Sequence, residues 1–152
     1  MPVRPSSPEV FDRALLRQRR ARAAPGIHQF DFLFREVADR LLERLDIIRK
    51  EFPLIADLGG GLANDLCRRP GTSTVVSLDS SFEMARMYPS AIVGDEECLP
   101  FRAGSLDAVV SNLSLHWVND LPGALLQIRQ ALKPDGLFLA ALLGGESLKE
   151  LR

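Results

Sequence analysis

One stretch restricts the fold more than any other: Leu54-Ile55-Ala56-Asp57-Leu58-Gly59-Gly60-Gly61-Leu62-Ala63-Asn64-Asp65. It reads as a short apolar strand that runs into an acid, a glycine turn and a helix start. Further along, Thr74-Val75-Val76-Ser77-Leu78 reads as a second strand tipped by Asp79. Strand, glycine turn, helix and carboxylate-tipped strand make a βαβ nucleotide-site arrangement. Gly59 and Gly61 carry no side chain, so the backbone can bend tightly and approach a ligand. Asp79 can accept hydrogen bonds from both vicinal hydroxyls of a ribose.

The details of the turn select among nucleotides. A dinucleotide site requires G-x-G-x-x-G with a pyrophosphate over the helix N-terminus. Here the third glycine position is Asn64, followed by Asp65, whose carboxylate near the helix start repels a pyrophosphate. Asp57, just before the turn, suits a cationic ligand. S-adenosylmethionine carries a sulfonium and an ammonium beside its adenosine, so the reading favours it. A dinucleotide, or a tight turn with no ligand, are the alternatives.

The remaining composition excludes more than it selects. A chain of 152 residues is long enough for one domain with a sizeable core. A net charge of −1 gives no reason to expect nucleic acid or an anionic membrane as the main partner. Cys67 and Cys98 have neither metal nor disulfide spacing and are expected as packing residues in a reducing compartment. No metal site is expected. No apolar run approaches the length needed to span a bilayer.

Along the chain, residues 1–10 hold three prolines and two serines and are expected to form a mobile arm. Phe11-Asp12-Arg13 then opens an arginine-rich segment up to Arg22, which Pro25-Gly26 breaks. It reads as a structural or ligand-covering helix, with an organelle-targeting segment or a nucleic-acid patch as alternatives. Phe34, Val37, Leu41, Leu45 and Ile48 share one face of a helix over residues 30–49. His28, before it, is expected to be solvated and without a partner. Leu62 to Arg69 make a short helix, and Ser80 or Ser81 caps the next, with Glu83 in its first turn. Met84 and Met87 on it are expected to face the core.

Ala91-Ile92-Val93 is a third strand ending at Gly94-Asp95, where an Asp can accept from an exocyclic amine such as adenine N6. Leu99 and Phe101 are expected to pack under the base. Leu106 to Ser111 is a fourth strand, leading into Asn112-Leu113-Ser114-Leu115-His116-Trp117. His116 and Trp117 either shape a substrate pocket or form an ordinary packed loop. Leu121, Leu125, Ile128 and Leu132 mark an amphipathic helix, ended by Lys133-Pro134-Asp135-Gly136, and Leu137 to Leu143 is a buried-type fifth strand. The last seven residues read as the start of a helix. Strands alternating with helices predict a Rossmann-like, doubly wound parallel α/β sheet in the order 3-2-1-4-5. Its ligand crevice lies at the switch point between strands 1 and 4.

The turn Asp57 to Gly61, Asp79, Gly94-Asp95, Leu99-Pro100-Phe101 and Leu132-Lys133-Pro134-Asp135-Gly136 together resemble the class I S-adenosylmethionine-dependent methyltransferases. A narrower likeness lies in Phe11-Asp12-Arg13, Asp95-Glu96-Glu97, the run Asn112 to Pro122 and Gly144-Gly145-Glu146-Ser147-Leu148. These resemble the respiratory complex I assembly factor 5 family and its bacterial relatives. The resemblance implies S-adenosylmethionine binding and, in mitochondrial members, hydroxylation of an arginine in a complex I iron–sulfur subunit. It implies that Gly59 and Gly61 flank the methionine end of the cofactor, that Asp79 holds the ribose and that Asp95 with Glu96 sits at the adenine, with Asp57, Gly60, Ser80 and Asn112 also counted among the cofactor-binding residues. The run Asn112 to Trp117, His116 and Trp117 included, would face the substrate, and no residue is assigned as catalytic. Relatives usually carry another glycine at Ala63 and often a polar or basic residue at Leu62.

The expected organisation is an N-terminal arm over residues 1–26 and a cofactor-binding domain over 27–152. Relatives continue past Arg152, so the reading expects a fragment, a shortened form, or a chain with a partner at the open edge of strand 5. Two other functions compete with arginine hydroxylation: methyl transfer to a small molecule or carrier protein, of the malonyl-carrier type, and cofactor binding without catalysis. Bacterial cytoplasm is the expected location, with the mitochondrial matrix, peripheral to the inner membrane, as the alternative.

Overall fold

A computed structural model of the chain describes residues 9–145 and 147. Helix α1 (Arg13–Ala23) starts at Asp12, whose carboxylate accepts the Leu15 N–H at 2.9 Å, and ends in a 3-10 turn over Ala24–Gln29. Helix α2 (Phe32–Ile47) follows, then β1 (Leu54–Leu58), α3 (Ala63–Cys67) and β2 (Thr74–Asp79). Next come α4 (Phe82–Ala85), β3 (Ala91–Val93), β4 (Leu106–Asn112), a 3-10 turn over Leu115–Trp117, α5 (Leu121–Ala131) and β5 (Leu132–Ala141). Ser81, rather than Ser80, caps α4 by accepting from Met84 N–H.

All strand pairs are parallel, and the sheet order is β3-β2-β1-β4-β5, as the alternation of elements predicts. In β1, β2 and β4 nearly every residue is buried, which is why they read as apolar runs without alternation. One face packs Ile55, Val75, Ala108 and Val110 against Leu41 and Leu45 of α2 and Leu66 of α3. The other packs Leu58, Leu78 and Val109 against Ala124, Ile128 and Ala131 of α5. Leu99 and Phe101 join this second cluster. Because β1 neighbours both β2 and β4, with its connections leaving in opposite directions, a crevice opens at its C-terminal end.

Several side chains depart from the sequence pattern. Phe34 is 39% exposed, whereas Leu41 and Leu45 of the same stripe are buried with Ala38, and Val37 and Ile48 pack half-buried against them. Leu125 points outward, because α5 turns its small residues, Ala124 and Ala131, toward the sheet and so packs closely on it. Lys133 to Gly136 do not end the helix ahead of the strand. β5 already begins at Leu132, paired with Leu106, and bulges before Leu137 pairs with Ala108. Its residues are half-buried rather than buried, because among the described residues β5 has no strand on its outer side. Cys67 and Cys98 are free thiols and both exposed, so neither is a packing residue. Met84 is buried and Met87 half-buried. Exposed His28 has a neighbour after all, the Asp31 carboxylate 3.4 Å away. Most of the expected C-terminal helix start and residues 1–8 lie outside the described residues.

Candidate functional site

The crevice begins where β1 ends. Asp57 is completely buried. Its Oδ2 accepts the Leu62 N–H at 2.9 Å, and its Oδ1 has no partner. Burial pushes its pKa up to about 7; the Leu62 N–H opposes this and the neighbouring Asp79 charge adds to it. The three glycines that follow all have positive φ: 86° at Gly59, 68° at Gly60 and 102° at Gly61. A Cβ on Gly59 would lie 2.4 Å from Ser114 Cβ, and one on Gly60 would lie 3.0 Å from the Tyr88 ring. A Cβ on Gly61 would meet nothing within 4 Å. Packing therefore dictates the first two glycines, while the third borders open space that a ligand can fill.

Next to the turn stands the β2 terminus. Asp79 is 2% exposed, and its Oδ1 accepts the Ser81 N–H at 2.8 Å. The Arg20 guanidinium of α1 grips both carboxylate oxygens, Nε to Oδ1 at 3.2 Å and Nη2 to Oδ2. The same Nη2 donates to the Gly59 carbonyl at 2.9 Å, tying the ribose-type acid to the glycine turn. Ser80 lies half-buried between Asp79 and the α4 cap.

One strand further out, Asp95 and Glu96 follow the short β3. Arg13 Nη2 donates to Asp95 at 2.7 Å and to Glu96 Oε2 at 2.5 Å. The other Glu96 oxygen accepts the Ser114 hydroxyl at 2.6 Å. Burial alone lowers the Arg13 pKa, but Glu96 and Asp95 outweigh it and hold the guanidinium above its ordinary value. Arg13 and Arg20 are seven residues apart, two helical turns on one face, so the same face of α1 reaches both acidic contacts.

The residues expected on the substrate side lie at and just beyond the end of β4. Trp117 is 40% exposed and meets the Phe11 ring edge-to-face at 5.5 Å, while its carbonyl accepts from Arg13. His116 stacks obliquely on Trp117 at 5.2 Å; its buried Nδ1 has no partner, and burial lowers its pKa. Asn112 is almost fully buried at the end of β4. Its amide donates to the Phe34 carbonyl at 2.8 Å, and its Oδ1 has no partner. It thus joins β4 to the first turn of α2.

The glycine turn, Asp79, Asp95 and Glu96 come together at consecutive strand ends, and Asn112, His116 and Trp117 lie beyond β4 on the same side of the sheet. Arg13, Arg20, Tyr88 and Ser114 also meet the site residues; the sequence offers a ligand-covering helix for the arginine-rich segment and places the run Asn112 to Trp117 here, but it points to no partner for either arginine and to no role for Tyr88. Tyr88 borders Gly60, and burial, with the charges of Asp57 and Asp79, raises its pKa. For the arginines a signal existed: two cations at i and i+7 on one helix face ahead of a strand-end acid series. Chemically, the arrangement suits a ligand with vicinal hydroxyls, an exocyclic amine and positive charge.

Comparison with known proteins follows the same lines. The family description "Methyltransferase domain" matches residues 56–140. The human protein named "Arginine-hydroxylase NDUFAF5, mitochondrial" is 41% identical over 159 residues, covering 97% of this chain and 46% of its own length. A "Malonyl-[acyl-carrier protein] O-methyltransferase" from Gallionella capsiferriformans (strain ES-2) is 35% identical, covering 94% of this chain and 56% of its own. The chain therefore spans about half the length of the curated relatives it matches. Among solved structures, the complex of the Haloferax volcanii Trm112 methyltransferase activator with a methyltransferase aligns with a TM-score of 0.70 and 28% identity. That alignment covers 80% of this chain and 59% of the other. A Methanococcus maripaludis structure with a TM-score of 0.61 and 20% identity, covering 87% of this chain and 67% of its own, shares the fold.

Proposed function

The chain belongs to the methyltransferase-domain family, and on that premise we propose that it binds S-adenosylmethionine and hydroxylates an arginine of a protein during assembly of respiratory complex I, the oxygen atom and the two oxidising equivalents coming from an external oxidant such as dioxygen and not from the cofactor's sulfonium. The observation that carries the cofactor is the crevice itself. Asp79 and the Asp95–Glu96 pair stand at consecutive strand ends beside a glycine turn whose third member borders open space. Unpartnered Asp57 Oδ1 supplies an acceptor beside the glycine turn, and a cationic ligand end placed there would favour its ionised form. Asp57 and Gly59 to Gly61 border the methionine end, Asp79 with Ser80 takes the ribose, and Asp95 with Glu96 takes the adenine. Asn112, with its free Oδ1, closes the cofactor side, and His116 and Trp117 present the rim to the substrate.

The bound cofactor supplies an adenosine-linked sulfonium, and the chain's part is to orient it and exclude water. What favours arginine hydroxylation is the 41% identity to the human arginine hydroxylase across nearly the whole chain, α1 included. The partner is then a complex I iron–sulfur subunit, and the location is wherever that subunit is assembled, bacterial cytoplasm or mitochondrial matrix. No helix among the described residues is long and apolar enough to cross a membrane. A second reading, methyl transfer to a malonyl carrier, draws on the 35% identity to the carrier-protein methyltransferase.

Mass spectrometry of complex I subunits from cells with and without the protein separates these readings. An added oxygen on an arginine supports hydroxylation. An unmodified set of subunits, with rescue of a biotin auxotroph, replaces it by carrier methylation.

A further inference from the structure

We propose that Arg20 of α1 is a latch on the cofactor crevice: it holds the carboxylate that the ribose requires, so cofactor entry exchanges a guanidinium for two hydroxyls and turns the Arg20 side chain out of the site. The proposal rests on the S-adenosylmethionine reading of the site and adds a regulation to it.

The geometry of Asp79 sets up the competition. Its carboxylate is almost wholly buried, one oxygen accepts from Ser81, and the Arg20 fork takes both oxygens from the crevice side. A ribose diol must donate to that same side. Arg20 also donates to the Gly59 carbonyl, so its guanidinium straps the two walls between which an adenosine would lie. Ligand and arginine cannot both hold Asp79.

The attachment of α1 decides which part moves. Among the described residues α1 contributes no side chain to either core cluster, but it packs along α4 and its C-cap, Ala24, is buried, so the helix is held at both ends. At its start, Asn119 Oδ1 accepts the Val10 and Phe11 N–H groups at 2.7 and 2.8 Å, and the Phe11 ring packs on Trp117. Arg13 donates there to three acceptors: Asp95, Glu96 and the Trp117 carbonyl. Two turns on, the Arg20 side chain keeps 24% of its surface in solvent and, among the described residues, its hydrogen bonds go to Asp79 and Gly59 alone. A partly solvated side chain changes rotamer without unfolding the helix that carries it. The helix therefore stays in place, and the Arg20 side chain is the releasable part. The cofactor's apparent affinity is its intrinsic affinity reduced by the fraction of molecules in which Arg20 has let go.

The test uses the full chain and a neutral ligand, so that nothing on the ligand can recapture a freed arginine. Titration calorimetry compares 5′-methylthioadenosine with wild type and Arg20→Ala. The expected result is about tenfold tighter binding by the variant, equivalent to ~1.4 kcal/mol. With 2′,3′-dideoxyadenosine, which lacks the diol, wild type and variant should bind alike. Arg20→Gln, which keeps most of the stem, repeats the comparison if the alanine variant folds poorly. Equal or weaker binding of 5′-methylthioadenosine by a folded variant, or the same gain with 2′,3′-dideoxyadenosine, overturns the latch. Binding of no adenosine by wild type or variant removes the cofactor reading, and the latch with it.

Discussion

Replacing Asp57 by Asn separates what this carboxylate costs the fold from what it gives the site. The side chain is fully buried, with one N–H for Oδ2 and nothing for Oδ1, and its pKa is pushed up to about 7. Measured from the usual carboxylate range near ~4, at ~1.4 kcal/mol per pH unit, the ionised form costs at most about 4 kcal/mol. Local relaxation around a buried charge lowers that, so roughly 1–3 kcal/mol is expected. Because the folded pKa is raised, the folded protein holds the proton more tightly than the unfolded chain. The associated stability is fully present below the unfolded value, falls as pH rises, and is gone above about 7. Asn keeps an acceptor for Leu62 N–H and carries no charge. Asp57→Asn should therefore flatten the pH dependence between about 4 and 7 and leave the variant more stable than wild type at pH 8. Urea denaturation followed by circular dichroism at a series of pH values measures the difference. The same variant should bind S-adenosylmethionine more weakly, a stability gain taken at a functional position. A stability difference that is the same at pH 5 and pH 8 would refute the assignment of a protonated, buried Asp57.

Gly59→Ala should destabilise by about 2–4 kcal/mol, because its Cβ would overlap Ser114 at 2.4 Å on a backbone with φ near 86°. Adding Ser114→Gly should restore part of that loss in urea titrations, and no restoration would place the strain elsewhere. Asp107 accepts from Lys133 Nζ at 2.8 Å and Leu54 N–H at 2.9 Å; burial raises its pKa, but these donors outweigh it and hold the carboxyl below the usual range. Asp107→Asn should cost about 1–2 kcal/mol near neutrality, and the penalty should shrink as pH falls through the lowered pKa, because that stabilisation exists only for the ionised form. A penalty unchanged down to acid pH would contradict this. Asp79→Ala should weaken S-adenosylmethionine binding by about 1–3 kcal/mol in calorimetry, and unchanged affinity would mean that the ribose is held elsewhere.

What the sequence exposed was mostly local. The acid-tipped strands, the glycine turn and the Ser81 cap are short-range patterns, and each appears where its residues predict. Strand order followed from alternation alone, since parallel strands joined by right-handed crossovers leave few topologies. Failures came where one apolar periodicity admits two solutions. On α5, both the Leu121–Leu125–Ile128 stripe and the Ala124–Ile128–Ala131 stripe are helical, and close packing on the sheet selects the one with small residues. On β5, the Lys133–Gly136 turn signal was real, but the flanking residues still pair with β4, so the turn became a bulge within the strand.

The pairing of charges was hidden for a different reason. Nothing in a run of arginines says which acid each will meet, and the partners of Arg13 and Arg20 lie 59 to 83 residues away along the chain. A net charge of −1 conceals this, since it averages an N-terminal cluster of cations against a later series of strand-end acids. The fold brings the two together because every acid terminates a parallel strand, and all parallel strands end on one side of the sheet. Unpaired, buried carboxylates at adjacent strand ends repel one another, as the effect of Asp79 on Asp57 shows. A helix placing two guanidinium groups across them relieves that repulsion, and a cationic cofactor bearing a diol can relieve it as well. The acidity that makes the crevice suitable for such a ligand is thus the same property that draws α1 over it.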